Sequence, residues 1–212
     1  MKIFFICLLM IPILAGSLIS QDESFVRNAY NAMQSKDYSK AVEFYSKAAE
    51  KQDNFAPTFY GRGLAYHYLG KMNESLADFS KAVQIKPDYH QAFFGRGVTN
   101  YKLGNIDKAR EDFKAAINLE SKNSSYYYAL GNVSYLTLKY DDALVNYSKS
   151  IELDPNNGVA FYGRAITNKM TGRLDAALKD FDTYLNLNGN NDGLKSEVNR
   201  MINEIHSAKN RK

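Results

Sequence analysis

The chain of 212 residues has one cysteine (Cys7), no tryptophan, four prolines and three histidines. A single thiol cannot close an internal disulfide, and Cys7 stands inside an apolar run at the N-terminus, so thiol chemistry cannot organise the rest of the chain. His67, His90 and His206 are scattered, and none has a second histidine or a cysteine at metal-ligand spacing. No glycine-rich phosphate loop, nucleophile elbow or isolated carboxylate pair stands out. The chain is therefore expected not to be an enzyme and to hold no catalytic residue, metal or cofactor. Blocks of like charge are also missing. The 27 Lys and Arg against 23 Asp and Glu, net +4, are mixed along the whole length. That pattern is a solvated surface, which excludes nucleic acid as the expected partner. The tail Lys209, Arg211, Lys212 is a small basic cluster read as solubilising.

Long apolar runs are confined to the N-terminus. Met1-Lys2 leads into an uncharged stretch from Ile3 to Ala15, followed by the small residues Gly16 and Ser17. This order of charge, apolar region and small residues predicts a secretory signal peptide over 1–17, with Ser20 as the second choice of cleavage site. The stretch is short for a membrane span and contains Pro12, so no stable membrane insertion is expected once the leader is removed. The alternative is a chain tethered by an uncleaved N-terminal segment. Leu14-Ala15-Gly16-Ser17 has serine where a lipidated cysteine would have to stand, which excludes a lipoprotein anchor. The expected location is exported, periplasmic or secreted. The Asn-x-Ser sequons at Asn73, Asn123, Asn132 and Asn146 are as frequent as this composition gives by chance, and are not read as glycosylation.

What dominates the remainder is a period. Phe59, Phe93, Tyr127 and Phe161 follow one another at intervals of 34 residues. Ala29, Gly63, Gly97, Gly131 and Ala165 keep the same interval, as do Ala41, Ser75, Ala109, Ala143 and Ala177. So do the rings of Tyr45, Phe79, Phe113, Tyr147 and Phe181. A fixed interval of this length means one supersecondary unit stacked on itself, a solenoid. Within the unit Ala56 to Tyr89, apolar residues at near-helical spacing run through Phe59, Leu64 and Tyr68 to Gly70. A second helix restarts at Asn73 and stops at Pro87. The small columns are expected where the two helices cross, and the rings between one unit and the next.

These residues resemble the tetratricopeptide repeat (TPR) family. Its pattern asks for a large residue at position 4, a small one at 8, glycine near 15, alanine at 20, an aromatic at 24 and proline at 32. The unit from Ala56 supplies Phe59, Gly63, Gly70, Ser75, Phe79 and Pro87 at those places. Five repeats follow from the resemblance, at 22–55, 56–89, 90–123, 124–157 and 158–191. Leu138 replaces the glycine of the fourth repeat, and Ser121 the proline of the third. The implied fold is all-α, a right-handed superhelix of helical hairpins closed by a capping helix in 192–212. There Leu194, Val198, Met201, Ile202 and Ile205 form one apolar stripe.

The resemblance also implies a binding surface, because positions 2, 5, 9, 12 and 13 line the concave groove in the family. Repeat one places Tyr30 there, beside Val26 and Met33. Repeat two places Tyr60, Leu64, His67 and Tyr68; repeat three Phe94, Val98, Tyr101 and Lys102. Repeat four adds Tyr128, Asn132 and Tyr135, and repeat five Tyr162, Ile166 and Lys169. The aromatics either face a ligand or pack on neighbouring first helices. Asn132, Lys102 and Lys169 are the polar groups expected to fix a ligand's register. The carboxylate clamp some family members use for chaperone tails is absent. Its positions hold Val26, Tyr30, Gly61, Gln91 and Gly95, or one repeat later Tyr60, Leu64, Gly95, Ser125 and Ala129, with no cation in either frame.

Arg62, Arg96 and Arg164 occupy position 7 of the same three repeats that carry Asp78, Asp112 and Asp180 at position 23. Each arginine is expected to reach across its own hairpin to its aspartate, a structural pair. The function expected is a non-catalytic protein-interaction scaffold of the cell envelope, holding another protein's extended peptide or helix in the groove. The alternative is a structural subunit docking through its convex face or edges.

Overall fold

The computed structural model describes residues 21–188 and 192–210; the expected leader at 1–17, its alternative end at Ser20, and the tail residues Arg211 and Lys212 lie outside them. Eleven helices and no strand occur among the described residues. Five hairpins succeed one another. They are α1 (Gln21–Gln34) with α2 (Tyr38–Lys51), α3 (Ala56–Tyr68) with α4 (Met72–Ile85), and α5 (His90–Lys102) with α6 (Ile106–Leu119). Then come α7 (Ser124–Leu136) with α8 (Tyr140–Leu153), and α9 (Gly158–Met170) with α10 (Leu174–Asn188). A single helix α11 (Asp192–Lys209) ends the order.

The turn inside each hairpin is set by one residue in the left-handed conformation. Gly70, Gly104 and Gly172 take φ of 76°, 78° and 75° there. In the second hairpin Gly70 N–H donates to His67 O at 3.1 Å and Lys71 N–H to Tyr66 O at 2.9 Å, satisfying carbonyls the helix end would leave open. Leu138 adopts the same conformation at φ 58°, and Lys36 at φ 60°, without glycine's freedom. Because the chain has already reversed at Gly70, α4 starts at once from Lys71, and Asn73 falls inside its first turn rather than capping it. At the other end α4 stops at Ile85, with Lys86 extended ahead of Pro87.

The repeated ring at position 24 is the centre of packing. Phe79, Phe113, Tyr147 and Phe181 are almost wholly buried. A Cβ added at Gly63 would lie 3.0 Å from Phe79 Cδ1, and one at Gly95 of the next repeat 2.7 Å from Phe79 Cζ. The ring is thus held between two backbones, one from its own hairpin and one from its neighbour. Tyr147 is held in the same way between Gly131 and Gly163. Ser75 Oγ donates to Gly63 O at 2.9 Å, which places positions 8 and 20 at the crossing of α3 and α4.

The three arginines do reach their own aspartates. Arg62 grips Asp78 through Nε (2.7 Å) and Nη2 (2.8 Å), and Arg164 grips Asp180 at 2.8 and 2.7 Å. Arg96 reaches Asp112 Oδ1 through Nη2 at 2.6 Å. Each guanidinium also lies over the ring three residues earlier, at 5.5, 5.3 and 5.6 Å from Phe59, Phe93 and Phe161. Asn100 donates to Asp112 at 3.0 Å, and Ser46 and Ser148 of the preceding repeats accept from Arg62 and Arg164. The pairs therefore tie both hairpin and stack together, and the half-buried arginines are committed to buried aspartates.

Curvature follows from which helices touch. Each first helix packs on its own partner and on the next first helix, as α3 does on α5 and α7 on α9. Among the described residues no second helix packs comparably on the next second helix. The first helices are crowded and form the inner layer. At the far end Val198, Met201 and Ile205 of α11 are buried against Phe181 and Tyr184, closing the last hairpin's apolar face.

Candidate functional site

The inner layer presents positions 5 and 9 as a floor and positions 12 and 13 as a rim at the C-terminal turns of the first helices. The floor is shared between packing and presentation. Tyr60 lies 5.8 Å from Phe79 and 5.0 Å from Tyr89, ring to ring. Phe94 lies 5.6 Å from Phe113 and 4.7 Å from Tyr126. Tyr128 meets Tyr147 at 6.0 Å, and Tyr162 meets Phe181 at 6.3 Å and Tyr184 at 5.3 Å. All four rings are half-buried, as is Tyr30 on α1. Burial, with the neighbouring Tyr89 phenol second, holds the Tyr60 hydroxyl's pKa above its ordinary value, so it stays a neutral donor. Leu64, Val98 and Ile166 are half-buried and pack into the clusters between repeats.

Two of the three polar groups expected to fix register are engaged within the fold. Asn132 Oδ1 accepts from Tyr147 OH at 2.7 Å. Lys169 Nζ pairs with Glu204 of the capping helix at 2.6 Å. Lys102 is exposed and forms no ion pair with another described residue.

The rim is the open part. Tyr68 is 58% exposed, although its ring stacks on Tyr38 at 4.7 Å. Tyr101 is exposed beside Lys102, and Tyr135 is half-buried against Tyr140 at 5.7 Å. Leu136 and Met170 continue the row at 52% and 57% exposure. Both are missing from the residues expected from the sequence, although they stand at position 13 like Tyr68 and Lys102, and that shared column was the signal. Leu138 adds the most exposed large apolar side chain among the described residues, at 71%. Monomers seldom leave so many large apolar groups along one edge without a use for them.

His67 sits where rim and floor meet. Its Nδ1 is 3.3 Å from Thr99 Oγ1 on α5, and Thr99 in turn donates to Gly95 O at 2.9 Å. With the threonine proton committed to that carbonyl, Nδ1 is the donor and Nε2 is left for a ligand. Burial first, and then the Lys102 charge, hold the imidazole's pKa below its ordinary value. His90 is occupied by Tyr126 OH at 2.8 Å. Among the described residues no group of three or more His, Cys, Asp or Glu could hold a metal ion. No described helix is long and apolar enough to cross a membrane.

Family models agree with this architecture along the chain. The model described as "TPR repeat" matches residues 63–104, and two described as "Tetratricopeptide repeat" match 90–123 with 124–157, and 146–179. Together they span 63–179, more than half of the sequence, and the chain belongs to the tetratricopeptide repeat family. No curated protein matches it in sequence. Among solved structures, a crystal structure of MamA is similar with a TM-score of 0.71 and 22% identity, over 78% of this chain and 91% of that one. MamA from Desulfovibrio magneticus RS-1 gives a TM-score of 0.75 at 16% identity, over 84% of this chain and 100% of that one. YrrB, reported as a TPR protein with an unusual peptide-binding site, gives 0.67 at 22% identity, over 79% and 86%. At these identities the likeness is one of fold.

Proposed function

We infer that this protein is a non-catalytic interaction scaffold that holds an extended peptide or a partner helix of another protein in the groove of its first helices. The observation that carries the reading is the rim of Tyr68, Tyr101, Leu136 and Met170, exposed beside an uncommitted Lys102. Tyrosine and methionine suit such a surface, tyrosine because it offers large contact area at modest ordering cost and methionine because it adapts its shape. The partly buried floor beneath gives the rim a rigid base, so little is lost in ordering the site on binding. Work in the cell envelope, after export, is part of the proposal and rests on the leader sequence alone.

A second reading, docking through the convex side as a subunit of an envelope assembly, has Val145 on α8, 69% exposed, in its favour. Affinity capture from a native envelope extract separates the two. The protein is compared with a rim variant (Tyr68→Ser, Leu136→Ser, Met170→Ser) and with Val145→Ser, all at exposed positions. A partner lost only by the rim variant supports the groove. A partner lost only by Val145→Ser supports the convex face and overturns the groove.

A further inference from the structure

The groove's polar equipment is uneven, and the unevenness bears on what it takes. Lys169 is neutralised by Glu204, and Asn132 is spent on Tyr147. Arg62, Arg96 and Arg164 are closed in by their aspartates. That leaves Lys102 on α5 and His67 on α3, brought together because α3 and α5 pack side by side. Thr99, which His67 meets, stands one turn before Lys102 on α5, and burial first, then the Lys102 charge, lower the imidazole's pKa. The groups facing His67 are Lys102 and Thr99 from α5, with the Ser75 hydroxyl of α4 behind Thr99, and Tyr68 from its own helix at 6.1 Å, edge to face. No carboxylate is among them. Among the described residues around His67, an aromatic wall with Lys102 outside any ion pair, one protonatable ring and no carboxylate is complementary to a negative charge flanked by apolar surface.

Resting on the groove reading above, we propose that His67 and Lys102 form a subsite for an aspartate or glutamate side chain of the bound peptide, whose apolar neighbours lie on Tyr68 and Tyr101. Lys102 Nζ donates to the carboxylate. Because Nδ1 of His67 donates to Thr99, the carboxylate meets Nε2, which offers a hydrogen only in the imidazolium. Binding the acid therefore takes up a proton, and affinity rises as pH falls.

The test is selection of a random dodecapeptide phage library on the full chain and on Lys102→Glu, an exposed substitution that leaves packing untouched. Selected peptides should carry Asp or Glu next to aromatic or aliphatic residues, and Lys102→Glu should exchange that acid for Lys or Arg. Replacing the acid by its amide in a selected peptide should weaken binding at least about tenfold, as a charge-assisted hydrogen bond requires. Affinity should be higher at pH 6 than at pH 8 for the protein, and that difference should vanish in His67→Gln. Peptides that bind without an acid, yet are lost on Tyr68→Ala, would overturn the subsite and leave the groove standing. Acid-bearing peptides that bind equally at both pH values would remove His67 from it. Failure to enrich any peptide would count against the groove itself, and the subsite with it.

Discussion

Gly95 is the position where the packing argument is most exposed to refutation. In the middle of an ordinary helix, Gly→Ala gains about 1 kcal/mol from propensity. In α5 the new methyl would lie 2.7 Å from Cζ and 2.8 Å from Cε1 of Phe79. That ring has little room to retreat: it is 1% exposed, the Gly63 backbone lies so near that a Cβ added there would stand 3.0 Å from Cδ1, and Tyr60 lies against it at 5.8 Å. Overpacking of this kind costs about 1–3 kcal/mol, with further loss if the two repeats separate. The expected net effect of Gly95→Ala is destabilisation by up to about 2 kcal/mol, opposite in sign to the propensity term. Urea unfolding followed by circular dichroism reads this as a lower midpoint. A second arm isolates the cause. In the Phe79→Leu background the smaller side chain makes room, so the same Gly95→Ala change should become neutral or stabilising. A higher midpoint for Gly95→Ala in the unaltered protein would refute the clamp.

Other consequences follow from single residues. Asp112→Ala leaves the guanidinium of Arg96 and the amide of Asn100 without their acceptor and should lower stability by about 2–4 kcal/mol, while the exposed Asp182→Ala stays within about 0.5 kcal/mol by the same urea titration. Leu138→Gly relieves about 1–2 kcal/mol of left-handed strain and gives back about 0.4–1 kcal/mol to unfolded-chain entropy, so the melting temperature should rise slightly. Burial holds both His67 and His90 below the ordinary 6.5, so the unfolded chain takes up protons first. Their contribution is complete above that value and is lost as pH falls through the depressed folded values. The melting temperature should therefore drop between pH 7 and 5, and drop less in His67→Gln/His90→Gln.

The hairpin stack was legible because each constraint recurs. A ring at position 24 needs a small residue at position 8 in every repeat, so packing physics is printed several times over in register. Arg96 and Asp112 were legible for the same reason, since the two columns appear and disappear together. The glycines at position 6, Gly61, Gly95 and Gly163, carry the same period, but their role shows only when the neighbouring repeat's ring is in place. Contacts made once leave no such trace. Lys169 with Glu204 joins a repeat to the cap, and Asn132 with Tyr147 is made in the fourth repeat alone, so neither could be read in advance. The start of α4 was misplaced at Asn73 because side-chain capping was assumed where the glycine turn supplies the geometry. For the groove, positions 5 and 9 proved to be partly interior, and exposure moved outward to position 13, where Leu136 and Met170 stand.

The central claim is that the inner layer of first helices is the binding surface. Amide hydrogen exchange of the full chain, free and bound to its captured partner, tests it directly. Slower exchange in the last turns of α3, α5, α7 and α9, with α4, α6 and α8 unchanged, is the result expected. Slowing confined to α4, α6 and α8 would place the partner on the convex side and contradict the account.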